Sequence, residues 1–221
     1  MAYKSKYTGA EIEAKLDLVY NKYFNPVVPD EPVEPEPLPL GVFIQHVNGS
    51  LYTTDEWTAK GFASADANGV AVSAEECAFV IAKEKATDTK MGWSSNTNTL
   101  VEGIITTSVA AEAKLDYYGR ANTDILIADS TSAAYVANNY TFPNGQKGYL
   151  GAIGEWWLAY QNKEAADACM SLIGGERIYN DFNYWSSTQY DISKAWGFGW
   201  NQGVLKQSKG SVLLVRPFTT L

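Results

Sequence analysis

The chain has 221 residues, 46% of them hydrophobic, so it can form one sizeable domain with a packed core plus an appendage. Its net charge is −8 and its sequence pI is near 4.7. Because no basic field is present to neutralise phosphates, the composition argues against nucleic acid or an anionic membrane as a partner.

The N-terminal residues, MAYKSKYTGAEIEAK, lack the apolar segment of a secretory signal peptide. No run approaches the roughly 20 apolar residues that a membrane-spanning helix needs. We therefore expect a protein made in the bacterial cytoplasm with no signal peptide and no membrane insertion.

Residues 8–23 predict a short helix, because Thr8 can cap it and Glu11 follows three residues later. An apolar stripe recurs at helical spacing in Ile12, Leu16, Val19 and Tyr23. Helices this short are marginal alone, so the stripe needs a partner. Three ways of covering the stripe remain open: it could pack on the chain's own domain, anchor the chain to another protein, or join copies of the chain, for example as a trimer. We assign residues 1–24 to this N-terminal segment.

Residues 25–41 contain most of the chain's eight prolines with four carboxylates between them. Such a segment cannot form a helix or a central strand and is expected to be an extended, semi-rigid linker. The remaining residues, 42–221, are expected to form the main folded domain.

This domain opens with two β-rich runs, 42–47 and 50–53, around Asn48-Gly49, the favoured pair for a tight hairpin turn. His46 is the chain's only histidine and is interpreted as structural. Residues 55–61 predict a short helix capped by Asp55. The run VAVSAEECAFVIAKE follows as one strand or two.

Further along, alanine content and spacing predict helices over 107–119 and 121–138, the second interrupted near Ser130. Two more helices, or one continued helix, are predicted over 155–160 and 163–173. Gly174-Gly175 ends them, and residues 176–221 have the composition of short antiparallel strands.

No catalytic or metal-binding motif is present, so the sequence predicts no enzyme, no cofactor and no metal site. Cys77 and Cys169 lie among apolar neighbours without CxxC spacing and are expected to be buried free thiols. The alternative is an enzyme with an unrecognised carboxylate site. Four carboxylates could pair in space for such a site: Asp116, Asp124, Asp129 and Glu155.

A set of motifs near the end of the chain carries a family resemblance. GAIGEWW at 151–157, YWSST at 184–188, Ala195-Trp196, Gly203 and VRPF at 215–218 resemble the C-type lectin fold of the formylglycine-generating-enzyme-like group. Within it, the chain is most similar to the variable proteins of diversity-generating retroelements, whose members include the phage receptor-binding major tropism determinant proteins. The resemblance implies an α+β C-type lectin fold, with small antiparallel sheets and two or more flanking helices.

The resemblance also divides the C-terminal residues into scaffold and variable positions. The scaffold residues it implies are Trp156, Trp185, Ser186, Trp196 and Arg216. Retroelement mutagenesis acts on adenines and turns asparagine codons into a mixed set that excludes Trp, Lys, Gln, Glu and Met. The variable region is expected at about 180–214, and within residues 190–213 this filter leaves as candidate ligand-binding residues Asp191, Ile192, Ser193, Gly197, Gly199, Val204, Leu205, Ser208, Gly210, Ser211 and Leu213. Three residues just before this set are weaker additions: Asn180, Asp181 and Phe182.

Two departures limit what the resemblance implies. No cysteine follows Cys169, which argues against the oxidase activity of formylglycine-generating enzymes. The chain also lacks the Glu-Pro-Asn, Gln-Pro-Asp and Trp-Asn-Asp runs of calcium-dependent lectins. The expected function is recognition of a host-cell surface protein or glycan by a phage tail or fibre protein located in the virion. A purely structural virion decoration protein is a further alternative.

Overall fold

A computed structural model of the chain describes residues 8–23, 37–177, 182–199 and 201–221. Residues up to Leu38 and residues from Pro39 onward form two units, and each is described by itself. Most of the predicted proline-rich linker lies outside the described residues. In the part of the chain that is described, no helix has the length and apolar content needed to cross a bilayer.

The first unit contains helix α1, Gly9–Tyr23, as predicted. The Glu11 N–H donates to the Thr8 hydroxyl at 3.3 Å, and the Thr8 N–H donates to the Glu11 carboxylate at 2.7 Å. This reciprocal pair forms a capping box that fixes the start of the helix. The side chains of residues 8–20 are exposed, including Ile12 and Leu16 of the apolar stripe.

The second unit is a mixed α+β domain with two antiparallel sheets. The described strands are β1 (Gly41–His46), β2 (Leu51–Tyr52), β3 (Ala67–Ser73), β4 (Ala78–Ile81), β5 (Tyr149–Leu150), β6 (Asn183–Gln189), β7 (Lys194–Gly199), β8 (Gly203–Ser208) and β9 (Pro217–Thr220). The described helices are α2 (Thr54–Lys60), α3 (Ala110–Ala113), α4 (Gly119–Leu126), α5 (Ala133–Asn139), α6 (Ile153–Gln161) and α7 (Lys163–Leu172). The larger sheet has the order β2-β1-β3-β4-β9-β5 and the smaller one β6-β7-β8.

The opening hairpin forms as predicted, with Ile44 of β1 opposite Tyr52 of β2 and Gly49 in the turn at φ 93°. Positive φ at this turn position suits glycine because it has no Cβ. The His46 ring lies 4.9 Å from the Phe62 ring and 6.0 Å from the Trp57 ring, measured between centroids. His46 is therefore part of the packing under the hairpin.

Helix α2 is capped by Thr53, and the prediction of Asp55 as its cap is wrong. The Thr53 hydroxyl accepts from the Glu56 N–H at 3.2 Å, and the Glu56 carboxylate accepts from the Thr53 N–H at 2.8 Å. This Thr-x-x-Glu capping box satisfies two backbone donors at once, so the helix begins at Thr54.

The helix predicted over 107–119 is also wrong, since only the four residues of α3 and Gly119, the first residue of α4, are helical in this range. Asp116 is buried, and its carboxylate accepts from the Tyr118 N–H at 3.0 Å, which bends the chain before α4. The predicted interruption near Ser130 is confirmed. There, Ser132 caps α5 by accepting from the Tyr135 N–H.

The pair α6 and α7 also forms as predicted, and Gly174 follows α7 at φ 67°. The run VAVSAEECAFVIAKE supplies parts of two strands, β3 and β4. From β6 onward the described chain forms short antiparallel strands, as the composition predicts.

The small sheet is covered on both faces. On one face, Trp156 of α6 stacks on Phe198 of β7 at 5.4 Å and 4°, and on Tyr184 of β6 at 5.4 Å. On the other face, Trp185 and Ala195 pack in a separate cluster that includes Trp93, Leu213 and Val215. The side chains on both faces of the small sheet are therefore buried in the core, most completely in β6 and β7.

Candidate functional site

All five residues expected to be scaffold are buried, at 5% exposure or less. The Trp185 Nε1–H donates to the Met91 carbonyl at 2.7 Å, and the Trp196 Nε1–H donates to the Thr107 carbonyl at 2.8 Å. Both indoles have an apolar body in the core and a satisfied polar group, as buried tryptophans require. They bind the small sheet to two points of the long connection between β4 and α3.

Two of the other scaffold residues, Ser186 and Arg216, also bond to the backbone through their side chains. The Ser186 hydroxyl donates to the Trp196 carbonyl at 2.8 Å, across from β6 to β7. The Arg216 guanidinium donates to the Ala82 carbonyl at 3.2 Å and to the Glu176 carbonyl at 3.1 Å. These bonds join β6 to β7 and connect Arg216 to the segments that follow β4 and α7, and both donor side chains are buried.

Three of the candidate ligand-binding residues are buried: Gly197, Gly199 and Leu213. A Cβ on Gly197 would lie 2.8 Å from the Tyr184 carbonyl oxygen, and one on Gly199 would lie 2.5 Å from Asn183 Oδ1. Side chains at these two positions would collide with the neighbouring strand β6. We correct the expectation for all three residues, because they lie in the packed interior of the domain.

Two other candidates, Val204 and Leu205, lie half-buried on edge strand β8. Val204 is opposite Phe198 and Leu205 is opposite Gly197, so their side chains project to opposite faces of the sheet. Leu205 packs against the cluster that contains Trp185. Both residues therefore contribute to packing and present only part of their surface.

The remaining candidates lie in two turns that we call the tip, residues 191–193 and 208–212. Ile192 is 54% exposed, and Ser208 and Gly210 are exposed. Asp191, Ser193 and Ser211 are half-buried. The two turns meet where the Lys209 N–H donates to the Ser193 carbonyl at 2.9 Å. The tip also includes Val212, which is 56% exposed and which the sequence filter did not select.

Asp191 determines the shape of the first turn. Its Oδ1 accepts from the Ser193 N–H at 2.7 Å, from the Ser193 hydroxyl at 3.0 Å and from the Lys194 N–H at 2.7 Å. Slight burial opposes ionisation, but these bonds prevail and lower the pKa of Asp191. Asp191 is therefore ionised at neutral pH and holds Ile192 outward.

Two lysines lie beside the tip around one aromatic ring. Lys194 Nζ is 5.7 Å and Lys206 Nζ is 5.4 Å from the centroid of the Tyr190 ring, which also packs edge-on against Trp196 at 4.9 Å. These distances are within cation–π range. The tip of this acidic chain therefore has positive charge close to it.

Sequence reasoning missed the loop 94–101, which lies beside the tip. A Cβ on Gly210 would be 3.3 Å from the Thr97 methyl group, and the Trp93 N–H donates to the Lys209 carbonyl at 2.9 Å. Its only sequence signal is the run SSNTNT, small polar residues without strand or helix periodicity. This loop also lines a cleft of about 280 Å³ with Ile125 and Asp129.

Of the four carboxylates that could form a catalytic pair, Asp116 and Glu155 are buried, and the charge of Asp116 contributes to raising the pKa of Glu155. Asp116 accepts from the Thr188 hydroxyl at 2.7 Å and from the Asn122 amide at 3.0 Å. Burial raises the pKa of Asp116, although these bonds oppose that rise. Its carboxylate joins α3, α4 and β6 into one network.

Glu155 accepts from the Tyr149 hydroxyl at 2.6 Å and from the Ala152 N–H at 2.7 Å, which caps α6. Burial raises the pKa of Glu155 to about 8. The negative charge of Asp116 adds to this rise, and the two hydrogen bonds oppose it. Perturbed carboxylates are a common feature of active sites. Here both are enclosed by their own hydrogen-bond partners, and neither lines the cleft beside the tip.

The other two carboxylates do not join this pair. Asp124 is exposed and lies 3.4 Å from Arg120. The Asp129 carboxylate accepts hydrogen bonds from Ser94, Ser95 and Thr131. Burial opposes ionisation of Asp129, but these bonds outweigh it and hold the pKa of Asp129 well below its usual range. Asp129 therefore anchors the start of loop 94–101.

Both cysteines are free thiols, with Cys169 buried and Cys77 half-buried. Burial raises the pKa of Cys77 to about 12 and that of Cys169 to about 11, so both remain protonated at neutral pH. Within the described ranges, no group of three His, Cys, Asp or Glu side chains is arranged to hold a metal ion.

No protein-family model matches this chain. A comparison with curated proteins finds no match to it either.

Proposed function

We propose that the domain from Pro39 onward is a non-enzymatic recognition module with a C-type lectin fold. In this proposal the small sheet is the scaffold, and the exposed residues of the tip contact the partner. The α+β architecture, with helices against small antiparallel sheets, is compatible with that fold.

The observation that carries the proposal is the division of residues 183–216 into two classes. Every residue that the motif resemblance treats as scaffold in this segment is buried, including Trp185 and Trp196. The exposed side chains of Ile192, Ser208 and Val212 all lie in the tip, whose second turn begins with the last residue of β8. Loops presented by a rigid scaffold are where binding residues concentrate in proteins.

The proposed partner is a host-cell surface protein or glycan, and the proposed setting is a phage tail or fibre within the virion. The exposed apolar stripe of α1 supports a role in joining several copies, such as a trimer. Several heads on one particle would convert weak individual contacts into tight attachment, because later contacts form at high effective concentration.

Binding to cells tests this proposal. Labelled protein is incubated with a panel of bacterial strains, and wild type is compared with the double variant Ile192→Glu, Val212→Glu. We expect wild type to bind at least one strain and the variant to lose about tenfold or more in affinity, because both side chains are exposed at the tip.

The matched control is Leu115→Glu with Leu172→Glu, which places the same two charges at exposed leucines outside the tip. This control should bind as wild type does. Equal binding by all three proteins would contradict the tip assignment. If wild type bound no strain, a structural decoration protein would be favoured instead.

The neighbouring DNA provides a second test. The retroelement hypothesis predicts a reverse-transcriptase gene and a near-copy of the segment that encodes residues 180–214, differing at adenines. A locus without either would remove the diversification part of the proposal and leave the binding module to be judged by the cell experiment.

The alternative of an enzyme on the same fold rests on Asp116 and Glu155, whose pKa values are raised by burial. We do not adopt it, because their oxygens already accept hydrogen bonds from protein groups in the core. A carboxylate in general acid–base catalysis has to reach the substrate directly or through one water.

A further inference from the structure

Lys209 is a buried lysine in the second turn of the tip. Its side chain is fully buried, and Nζ donates to the Thr99 carbonyl at 2.6 Å and to Gln189 Oε1 at 2.7 Å. Nζ also lies 5.0 Å from the centroid of the Trp93 ring. Among the described residues, no carboxylate forms an ion pair with it.

Burying an ammonium group without an ion-pair partner is costly, so lysine is an expensive choice at this position. Burial lowers the pKa of Lys209, and the charge of Asp191 opposes that change. Two oxygen acceptors and one aromatic face compensate the lost hydration in part. An apolar side chain would avoid this cost but could not bond to the Thr99 carbonyl.

These bonds connect the end of loop 94–101 to the small sheet. Gln189 of β6 accepts from Lys209 and also from the Val101 N–H at 3.0 Å, and it donates to the Val101 carbonyl at 3.3 Å. The backbone of Lys209 meets Ser193 on one side and Trp93 on the other. One residue therefore joins both turns of the tip to the loop.

Loop 94–101 has the composition of a binding loop. Its exposed residues are Ser95, Asn96, Asn98, Thr99 and Leu100. Serine and asparagine provide adaptable hydrogen bonding in antibody binding loops, where apolar side chains add contact area. Leu100 is 46% exposed and supplies that apolar group here.

We propose that Lys209 is a positioning residue that fixes loop 94–101 beside the tip, so that this loop forms a second wall of the recognition surface. This inference rests on the proposed recognition function. The partner that fits is a host-surface molecule rich in hydrogen-bond donors and acceptors, with a small apolar area facing Leu100 and Ile192.

Hydrogen–deuterium exchange with Lys209→Met and Lys206→Met tests the positioning role. Methionine is unbranched, one atom shorter than lysine, and has no charge. Lys206 is exposed on β8, so its variant is the matched control. We expect backbone exchange in residues 94–101 to rise about tenfold in Lys209→Met, because two charge-assisted bonds are lost, and to be unchanged in Lys206→Met. Strands β3 and β4 should exchange at the wild-type rate in both. An unchanged loop, or equal acceleration of β3 and β4, would overturn the positioning role.

If Lys209→Met does not fold, amine labelling of the wild type decides the question. We expect an amine-reactive reagent to modify Lys206 rapidly and Lys209 only at the rate at which the loop opens. Modification of Lys209 at the slower rate of global unfolding would make it an ordinary core residue and refute the inference.

The wall itself is tested with Asn98→Ala and Leu100→Ala together, since both residues are exposed and the tip stays intact. On a strain that wild type binds, affinity should fall about tenfold. Unchanged binding would refute the second wall while leaving the tip proposal intact. If wild type binds no strain, the recognition function fails and the wall with it, whereas the exchange experiment still reports whether Lys209 positions the loop.

Discussion

Replacing Gly197 by alanine adds one methyl group where β7 has no room for it. The new Cβ would lie 2.8 Å from the Tyr184 carbonyl oxygen, 3.0 Å from Leu205 Cδ1 and 3.1 Å from Leu213 Cδ1. The carbonyl belongs to the backbone of β6, so the conflict cannot be relieved by rotating a side chain. Overpacking of this kind costs about 1 to 3 kcal/mol.

One effect opposes that cost. Alanine loses less conformational entropy than glycine on folding, which favours it within a strand by about 0.5 to 1 kcal/mol. The steric conflict is the larger effect, so we expect Gly197→Ala to lower the free energy of unfolding by about 1 to 2 kcal/mol. For a domain of this size that corresponds to a fall in Tm of roughly 2 to 8 °C.

Thermal unfolding monitored by circular dichroism measures the difference, with Gly210→Ala as the matched control. Gly210 is exposed, and its Cβ would meet only the Thr97 methyl group, at 3.3 Å. That variant should stay within about 0.5 kcal/mol of wild type. If Gly197→Ala were as stable as wild type, or if Gly210→Ala lost as much, the division between packed and exposed glycines would be wrong.

Three further predictions concern buried or hydrogen-bonded groups. Burial raises the pKa of Glu155 to about 8, so the stability of the wild type should fall as the pH rises from about 5 to about 9. Glu155→Gln should lose most of this pH dependence of stability. Profiles of Tm against pH that run parallel for the two proteins would contradict the prediction. Hydrogen bonds hold the pKa of Asp129 well below its usual range, so the stability that it contributes is present at neutral pH and is lost progressively as the pH falls below about 4. Asp129→Asn should therefore cost about 1 to 3 kcal/mol in urea unfolding at neutral pH and steadily less as the pH is lowered toward about 2, whereas an equal cost at both ends of this range would refute the assignment. Cys77 and Cys169 should react slowly with a thiol reagent in the native protein and rapidly after denaturation, and failure to detect two thiols then would indicate a disulfide.

Features encoded by residues close together in the sequence were predictable. Thr8 with Glu11 specifies the start of α1, and Asn48-Gly49 specifies the first hairpin, because the interacting groups are a few residues apart. Gly174 likewise marks the end of α7 through its positive φ. The general α+β class follows from the order of such local signals.

Features that depend on distant contacts were not predictable. The helix over 107–119 is cut short because Asp116 bonds to Thr188, which lies 72 residues further along the chain. Gly197 looked like a surface position because the sequence of β7 and β8 does not reveal that both faces of the small sheet are covered. Nothing in the sequence indicated that Lys209 is buried, since lysine is almost always exposed and its acceptors are Gln189 of β6 and Thr99 of loop 94–101, 20 and 110 residues away.

Coverage of both faces of the small sheet also sets how the domain could be used as a display scaffold. A randomised library that included the strand interiors would consist largely of unfolded members, since each strand position there already has a neighbour on either side. Restricting randomisation to the exposed positions 192, 208, 210 and 212 gives a much smaller library in which most members fold. The binding diversity of such a library would come from the turns, and the stability of its members from the packed strands.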